Sequence, residues 1–283
     1  MKNELLTMAK ASSPASSLGA KTLLILFGLN LFLFSWGGAE TMENKNPEIK
    51  WDKLSEKRIY FGHQSVGFNI VDGINDVLKE NPGVKLNVVE TTNPESFLNP
   101  VFAHSRAGKN TKPETKVDAF VNYIDSGIGK NLDYAFLKFC YVDIREKTDV
   151  KEVFEYYKTS FADLKQKYPR TTFVHLTVPL TTVQTGAKAF VKKIIGKSIG
   201  YEDNLKRHQL NALLKNEYKG KEPLFDIAGI ESTGSDGKQK SYSKDGGTFH
   251  ALRSEYTSDG GHLNETGRKL VALQLLKFLS ELE

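Results

Sequence analysis

The sequence predicts an α/β protein with a flavodoxin-like, doubly wound and mainly parallel five-stranded sheet that carries helices on both faces. Short apolar runs alternate, from Arg58 onward, with longer stretches whose apolar residues recur at helical spacing. Strands and helices that alternate in this way are joined by right-handed crossovers, which produce a parallel sheet covered on both sides. With 283 residues, 39% of them hydrophobic and 26% charged, the chain can form a sizeable core.

The predicted elements follow from these patterns and from turn residues between them. Strands are predicted over residues 58–61, 84–90, 132–141, 172–178 and 224–227. Helices are predicted over residues 66–79, 116–126, 150–168 and 201–218, and a last helix begins after Asn264. Segments 91–114 and 232–261 lack a clear period and are predicted to be loops.

The N-terminal region predicts export from the cytosol. Three lysines occur within residues 1–21, an apolar run covers residues 22–34, and small residues follow at 37–39. The run is shorter than the about 20 residues of a membrane span but has the length of a signal-peptide core. We expect residues 1–39 to be a signal peptide, with an uncleaved N-terminal membrane anchor as the alternative, and the protein to be periplasmic or secreted. Residues 40–56 are expected to be a linker before one domain over residues 57–283.

Composition excludes several classes of function. The formal charge is only +5 and no basic run occurs, so no nucleic-acid partner is expected. The single cysteine, Cys140, excludes an intramolecular disulfide and a cysteine-based zinc site. Neither a Gly-x-Gly-x-x-Gly motif nor a phosphate-binding loop is present. We therefore expect no cofactor and no metal.

In doubly wound sheets, functional sites lie at the carboxyl ends of the strands, and Ser65 follows the first predicted strand there. A serine at a strand-to-helix turn faces the positive end of the helix, where a developing oxyanion is favoured. The alternative interpretation is that Ser65 only caps the helix, as serine does very often.

A second group of residues stands just before the last predicted helix. Asp259 precedes His262 by three residues, on a loop with two glycines between them. Such an aspartate can accept the Nδ1 proton of the imidazole, which leaves the other ring nitrogen free to take a proton from a serine. Alone, this pattern is as consistent with a turn and an incidental surface histidine. Together with Ser65 it indicates a nucleophile, its base and an orienting carboxylate.

At this point residues 57–282 resemble the SGNH/GDSL hydrolase family, which are α/β esterases built as a three-layer sandwich. The most specific part is the block at 259–267, Asp-Gly-Gly-His-Leu-Asn-Glu-Thr-Gly, which is similar to the family's terminal block. The resemblance implies that Ser65 is the nucleophile, His262 the general base and Asp259 its orienting partner.

Two departures from the family pattern concern the first and third blocks. The first block, usually Gly-Asp-Ser, here reads Gly-His-Gln-Ser at 62–65. In the third, Val142 occupies the place of an asparagine that donates to the oxyanion; losing such a donor typically costs about 2.7–4 kcal/mol. The loop at 103–110 is expected to supply a replacement donor, which is the backbone N–H of Gly108 or the side chain of Asn110 or Arg106. The alternative is that this segment is an ordinary solvated loop. The candidate side chains for the oxyanion or the substrate are Asn110, Arg106, Tyr141 and Asp143.

The resemblance implies an exported serine esterase that hydrolyses a carboxylic ester through an acyl-enzyme. A small-molecule or glycan ester, with an O-acetylated glycan as the first choice, is the expected partner; membrane contact is expected only through an uncleaved N-terminal segment. Two alternatives remain open at this stage. Val142 motivates a weak or inactive module that binds a glycan or a protein partner, and an O-acyltransferase would use the same frame.

Overall fold

The computed structural model describes residues 47–184, 200–244 and 246–283. The predicted signal peptide or anchor at 1–39 lies outside these residues. Among the helices in the described ranges, none is long and apolar enough to cross a membrane.

The centre of the protein is a parallel sheet, which confirms the predicted fold class. It has six strands rather than five: β1 (Arg58–His63), β2 (Val88–Glu90), β3 (Val101–Arg106), β4 (Tyr134–Leu137), β5 (Thr172–Leu176) and β6 (Leu224–Phe225). Their order across the sheet is β2-β3-β1-β4-β5-β6, and each neighbouring pair is parallel.

Seven α-helices are described around this sheet. They are α1 (Trp51–Ser55), α2 (Val66–Glu80), α3 (Pro113–Tyr123), α4 (Val150–Lys167), α5 (Tyr201–Tyr218), α6 (Ile227–Ser232) and α7 (Glu265–Glu281). Asn264 caps the last of them as predicted, because its side chain accepts from the Gly267 N–H.

Strand β3 lies inside the segment 91–114 that was predicted to be a loop. It inserts between β2 and β1, so the first two predicted strands are not neighbours. Two of its buried residues are polar, and each is satisfied by the neighbouring strand β1: Ser105 hydrogen bonds Tyr60, and His104 hydrogen bonds His63. The apolar signal of a buried strand is therefore weak in β3, because its burial depends on partners that are distant in sequence.

The alternation of side chains along the strands divides the core into two layers. On one side, Ile59 and Phe61 of β1 pack with the apolar faces of α2 and α7. On the other, Tyr60 of β1 packs with apolar residues of α3, α4 and α5. Successive strand residues point to opposite faces, so one strand contributes to both layers of the sandwich.

Two segments differ from the linker and loop predictions. The predicted linker 40–56 ends too late, because Trp51–Ser55 form α1, whose Leu54 is fully buried and whose chain packs against α7. Burial of Leu54 stabilises this short helix, in which it is the only buried residue. Within the predicted loop 232–261, Ser241–Lys244 and Gly247–His250 form an antiparallel hairpin, β7 and β8.

Candidate active site

Ser65 stands between β1 and α2 in a backbone conformation that is rare for a residue with a side chain. Its φ is 52° and its ψ is −115°, and the helix begins at the next residue. A positive φ of this kind costs on the order of 1–3 kcal/mol and is concentrated at functional sites. The side chain makes no capping hydrogen bond to α2, so the interpretation of Ser65 as a mere helix cap is wrong. The strained turn leaves its hydroxyl free for another partner.

That partner is His262. Ser65 Oγ lies 2.7 Å from His262 Nε2, and His262 Nδ1 lies 2.6 Å from Asp259 Oδ2. The second oxygen of Asp259 accepts from the backbone N–H of His262 at 2.8 Å. The structure thus brings together the three residues that the sequence singled out. The arrangement allows a proton to pass from the serine to the imidazole while the carboxylate holds the ring.

Several hydrogen bonds fix the loop that carries His262. Gly260 O accepts from the backbone N–H of Thr182 at 2.9 Å, and the Leu263 N–H donates to Asn69 of α2 at 3.2 Å. Asn69 lies one helical turn after Ser65, so α2 positions both ends of the Ser65–His262 pair. Gly260 has a φ of 92°, and a side chain there would collide with Thr182.

Asp259 is charged at neutral pH, and its side chain is open to solvent. The side chains of His262 and Asp259 are 43% and 56% exposed. Desolvation by itself would raise the pKa of Asp259, but hydrogen bonds from the His262 ring and from the backbone N–H groups of Gly261 and His262 lower it to about 2. An ionised Asp259 favours the tautomer in which His262 carries its proton on Nδ1 and presents an unprotonated Nε2 to Ser65.

Tyr141 forms one wall of the site. Its hydroxyl lies 3.4 Å from His262 Nδ1, and its ring stands edge-on to the imidazole with centroids 5.5 Å apart. The hydroxyl also interacts with the side chain of Ser65. Desolvation raises the pKa of Tyr141, and the nearby Asp259 raises it further, so the phenol stays protonated. The tyrosine is therefore placed where it can contact a bound substrate.

The residues of the 103–110 loop separate into two groups. Gly108 adopts a φ of 59° and lies next to the Ser65 turn, because Gln64 Nε2 donates to the carbonyl oxygens of both Ala107 and Gly108. Among the described residues, neither the Ser65 N–H nor the Gly108 N–H donates to a protein acceptor. Gln64 belongs to the Gly-His-Gln-Ser block, which is one residue longer than the usual Gly-Asp-Ser. Its two hydrogen bonds join the Ser65 turn to the 103–110 loop.

Asn110, which is exposed, and Asp143, which is buried, are joined through the buried Lys116. Lys116 Nζ donates to Asn110 Oδ1 at 3.0 Å and to Asp143 Oδ2 at 2.6 Å. Since an ammonium group only donates, the amide oxygen of Asn110 must face Lys116, which leaves the Nδ2 donors directed elsewhere. Asp143 is wrong as a substrate-contacting residue: its side chain is fully buried, and it also accepts from the backbone N–H groups of Thr111 and Cys140.

Arg106 is also not part of the site. Its guanidinium lies 4.6 Å from the centroid of the Phe68 ring, and its Nε is 3.9 Å from a carboxylate oxygen of Glu90. His63, another residue of the first block, is buried against His104. Desolvation, helped by the charge of Lys138, lowers the pKa of His63 to about 2, so the ring is too weakly basic to take a proton from Ser65.

A cavity of about 310 Å³ opens on the side of Asp259 and Tyr141, and Ser65 and His262 are not among its described lining residues. Its lining includes Asp259, Tyr141 and Val142 together with polar side chains from two further segments, among them Thr181, Thr182, Gln184, Arg145 and Arg207. Arg207 is buried, and its Nε donates to the carbonyl oxygens of Tyr141 and Ile144 at 2.9 and 3.1 Å. The sequence signal for Arg207 was a charged residue spaced among the buried positions of α5, and it was not among the predicted site residues.

Comparison with solved structures finds proteins of similar architecture. A candidate acylhydrolase from Bacteroides fragilis aligns with a TM-score of 0.51 at 16% identity, over 84% of this chain and 90% of that chain. The chain has the SGNH-hydrolase fold. The resemblance drawn from the sequence is thereby confirmed for the fold, which is as far as a likeness at this identity extends. No protein-family model and no curated protein matches the sequence.

Two further solved structures align less closely to this SGNH fold. A candidate platelet activating factor from Streptococcus pneumoniae aligns with a TM-score of 0.47 at 17% identity, covering 84% of this chain and 86% of that chain. A GDSL-like lipase from Bacteroides thetaiotaomicron aligns with a TM-score of 0.44 at 16% identity, covering 78% of this chain and 85% of that one.

Proposed function

We propose that this protein is an exported serine esterase that hydrolyses a carboxylic ester through an acyl-enzyme, with an O-acetylated glycan as substrate. The observation that carries the proposal is the hydrogen-bonded chain from Ser65 Oγ through His262 to Asp259. Export rests on the composition of residues 1–39. The acylhydrolase description of the Bacteroides fragilis neighbour agrees with this class of reaction.

The reaction proceeds in two steps. Ser65 Oγ attacks the ester carbonyl while its proton passes to His262 Nε2, and the imidazolium then gives that proton to the departing alkoxide, which leaves as an alcohol. A water molecule attacks the acyl-enzyme, His262 takes a proton from it, and the acid is released as Ser65 regains its proton. Asp259 stabilises the imidazolium in both steps because its carboxylate remains ionised.

The oxyanion of each tetrahedral intermediate is held by donors from two loops. The backbone N–H groups of Ser65 and Gly108 are without protein acceptors in the described residues, and Ser65 stands at the positive end of α2. Asn110 is the side-chain donor in place of the missing asparagine at position 142. Lys116 supports this role, since it orients the amide oxygen and thereby frees the amide nitrogen.

The cavity beside the site supports a hydrophilic alcohol portion. Thr181, Thr182 and Gln184 present hydroxyl and amide groups that suit the hydroxyls of a sugar. Among the described residues of the lining, Val142 is the only aliphatic one, and a long acyl chain would find little apolar surface on them. A glycan carrying a short acyl group fits both observations.

The test is hydrolysis of p-nitrophenyl acetate and of an O-acetylated oligosaccharide by the full chain. We expect Ser65→Ala and His262→Ala to lower kcat by about 10⁶-fold, which is the scale of removing one member of such a group. Ser235→Ala, which removes an exposed serine away from this site, is the matched control and should have no effect. Equal rates for the wild type and Ser65→Ala would exclude a serine esterase.

A wild type that binds the oligosaccharide without cleaving it would instead favour the binding module that Val142 motivates. Transfer of the acetyl group to an added sugar acceptor, in place of release as acetate, would identify an acyltransferase.

A further inference from the structure

A second concave surface, the basic groove, lies between the N-terminal end of α4 and the stretch of α5 from Lys206 to Asn216. It encloses about 640 Å³, and its charged lining residues are Lys147, Asp149, Lys151 and Lys206. Asp149 caps α4, because its Oδ1 accepts from the backbone N–H groups of Lys151 and Glu152. The described lining therefore carries three ammonium groups against one carboxylate.

The groove lysines differ from several other lysines of α4 and α5 in whether they form an ion pair with a carboxylate. On α4, Lys158, Lys165 and Lys167 each pair with a carboxylate, and on α5 Lys215 pairs with Asp226. Within the part of the chain that the structure describes, none of the groove lysines makes such a pair. Among the described lining residues, three lysines stand against the one carboxylate of Asp149, and an excess of positive charge on a concave surface attracts an anionic ligand.

The groove adjoins the cavity beside Asp259. The segment 145–149 contributes Arg145 to the cavity and Lys147 to the groove, and α5 contributes Arg207 to the cavity and Lys206 to the groove. The backbone N–H of Glu146 donates to Asp203 at 3.0 Å and joins the two segments between the cavities.

We propose that the basic groove binds the carboxylates of an acidic polysaccharide whose esterified sugar occupies the cavity beside Asp259. This proposal rests on the proposed esterase function and narrows its substrate to a glycan that contains uronate residues. Exposed lysines act as hydrated point charges, which suits carboxylates repeated along a flexible chain. The described residues that line the groove include no aromatic side chain, and aromatic stacking is what proteins use to bind single-stranded nucleic acids.

The test measures binding separately from catalysis. In full-chain protein carrying Ser65→Ala, binding of de-esterified oligogalacturonate is measured by calorimetry with and without Lys147→Gln, Lys151→Gln and Lys206→Gln together. We expect the triple change to weaken binding by about tenfold or more, since three exposed ion pairs are lost. High salt should weaken binding to the unchanged groove and have less effect on the triple variant.

Matched controls separate the groove from general charge. Lys85→Gln, Lys219→Gln and Lys221→Gln remove the same charge from exposed lysines elsewhere and should leave binding unchanged. A neutral oligosaccharide of equal length should bind equally to both triple variants. The proposal is overturned if oligogalacturonate binds the groove variant as tightly as the parent, or if single-stranded DNA of equal charge binds as tightly and loses as much.

The two proposals fail in different ways. With Ser65 intact, the groove variant should hydrolyse p-nitrophenyl acetate at the wild-type rate, because that ester does not reach the groove. Oligogalacturonate binding that depends on the lysines, in a protein with no esterase activity, would support the groove and contradict the esterase. Esterase activity in a protein that does not bind oligogalacturonate would support the esterase and contradict the groove.

Discussion

Two neighbouring turns at the carboxyl edge of the sheet use their polar groups in opposite ways. After β1, Ser65 adopts a strained backbone and keeps its hydroxyl for His262. After β4, Asp143 is fully buried, and its carboxylate accepts hydrogen bonds from Lys116 and from two backbone N–H groups. Both turns carry polar residues at an edge where sites are expected, so position at the edge alone does not identify a functional residue. A functional residue is identified by the partner to which its polar group is hydrogen-bonded.

The comparison is tested first at the Ser65 turn, through Asp259→Asn. The amide would donate to His262 Nδ1 and favour the tautomer with a proton on Nε2, which cannot accept from Ser65. We expect kcat for p-nitrophenyl acetate to fall by about 10⁴-fold with little change in KM or in thermal stability. A loss smaller than about tenfold would mean that the orienting carboxylate is not used.

The turn after β4 is tested by stability rather than by activity. Lys116→Met leaves the carboxylate of Asp143 buried without its counter-charge, and we expect the free energy of unfolding in urea to fall by about 3–5 kcal/mol. The double variant Lys116→Met with Asp143→Asn removes the buried charge as well and should recover part of that loss. Equal stability of the single and double variants would contradict a structural role for the pair.

Asn110 connects the two turns, because Lys116 orients its amide. If Asn110 donates to the oxyanion, Asn110→Ala should lower kcat by about 10²–10³-fold. Adding Val142→Asn to that variant restores a donor at the position usual for the fold and should recover part of the rate. An unchanged kcat in Asn110→Ala would show that backbone groups alone hold the oxyanion.

A last prediction concerns Glu231, a carboxyl group buried in α6 that the site does not use. Desolvation raises the pKa of Glu231 from 4.5 to about 8, its Oε1 accepts from the Leu180 N–H, and its Oε2 has no partner among the described residues. Between these pH values the folded state keeps a proton that the unfolded state has released, so this group lowers stability as pH rises.

Glu231→Gln keeps the acceptor for Leu180 and removes the ionisable group. It should therefore stabilise the protein near pH 9 relative to the wild type but not near pH 4, by at most about 1.4 kcal/mol for each pH unit crossed. Unfolding in urea across this range provides the measurement. Parallel stability curves for the two proteins would contradict the raised pKa.

The sequence predicted most of the fold because five strands and their helices have clear periods. Strand β3 had no such signal, since His104 and Ser105 are buried through hydrogen bonds to β1. The residues of the Ser65–His262–Asp259 group were predictable because each stands at an element boundary with a recognisable pattern. Asp143 and Arg106 were misassigned because the direction of a side chain depends on its neighbours in space, here Lys116 and Phe68.

The central claim is that Ser65 is a nucleophile activated by His262, and covalent labelling tests it most directly. The full chain is treated with a fluorophosphonate, digested, and mapped by mass spectrometry. We expect one adduct, on the peptide that contains Ser65, with labelling slowed greatly in His262→Ala and abolished in Ser65→Ala. An unlabelled wild type, or an adduct that persists at another residue in Ser65→Ala, would contradict the account.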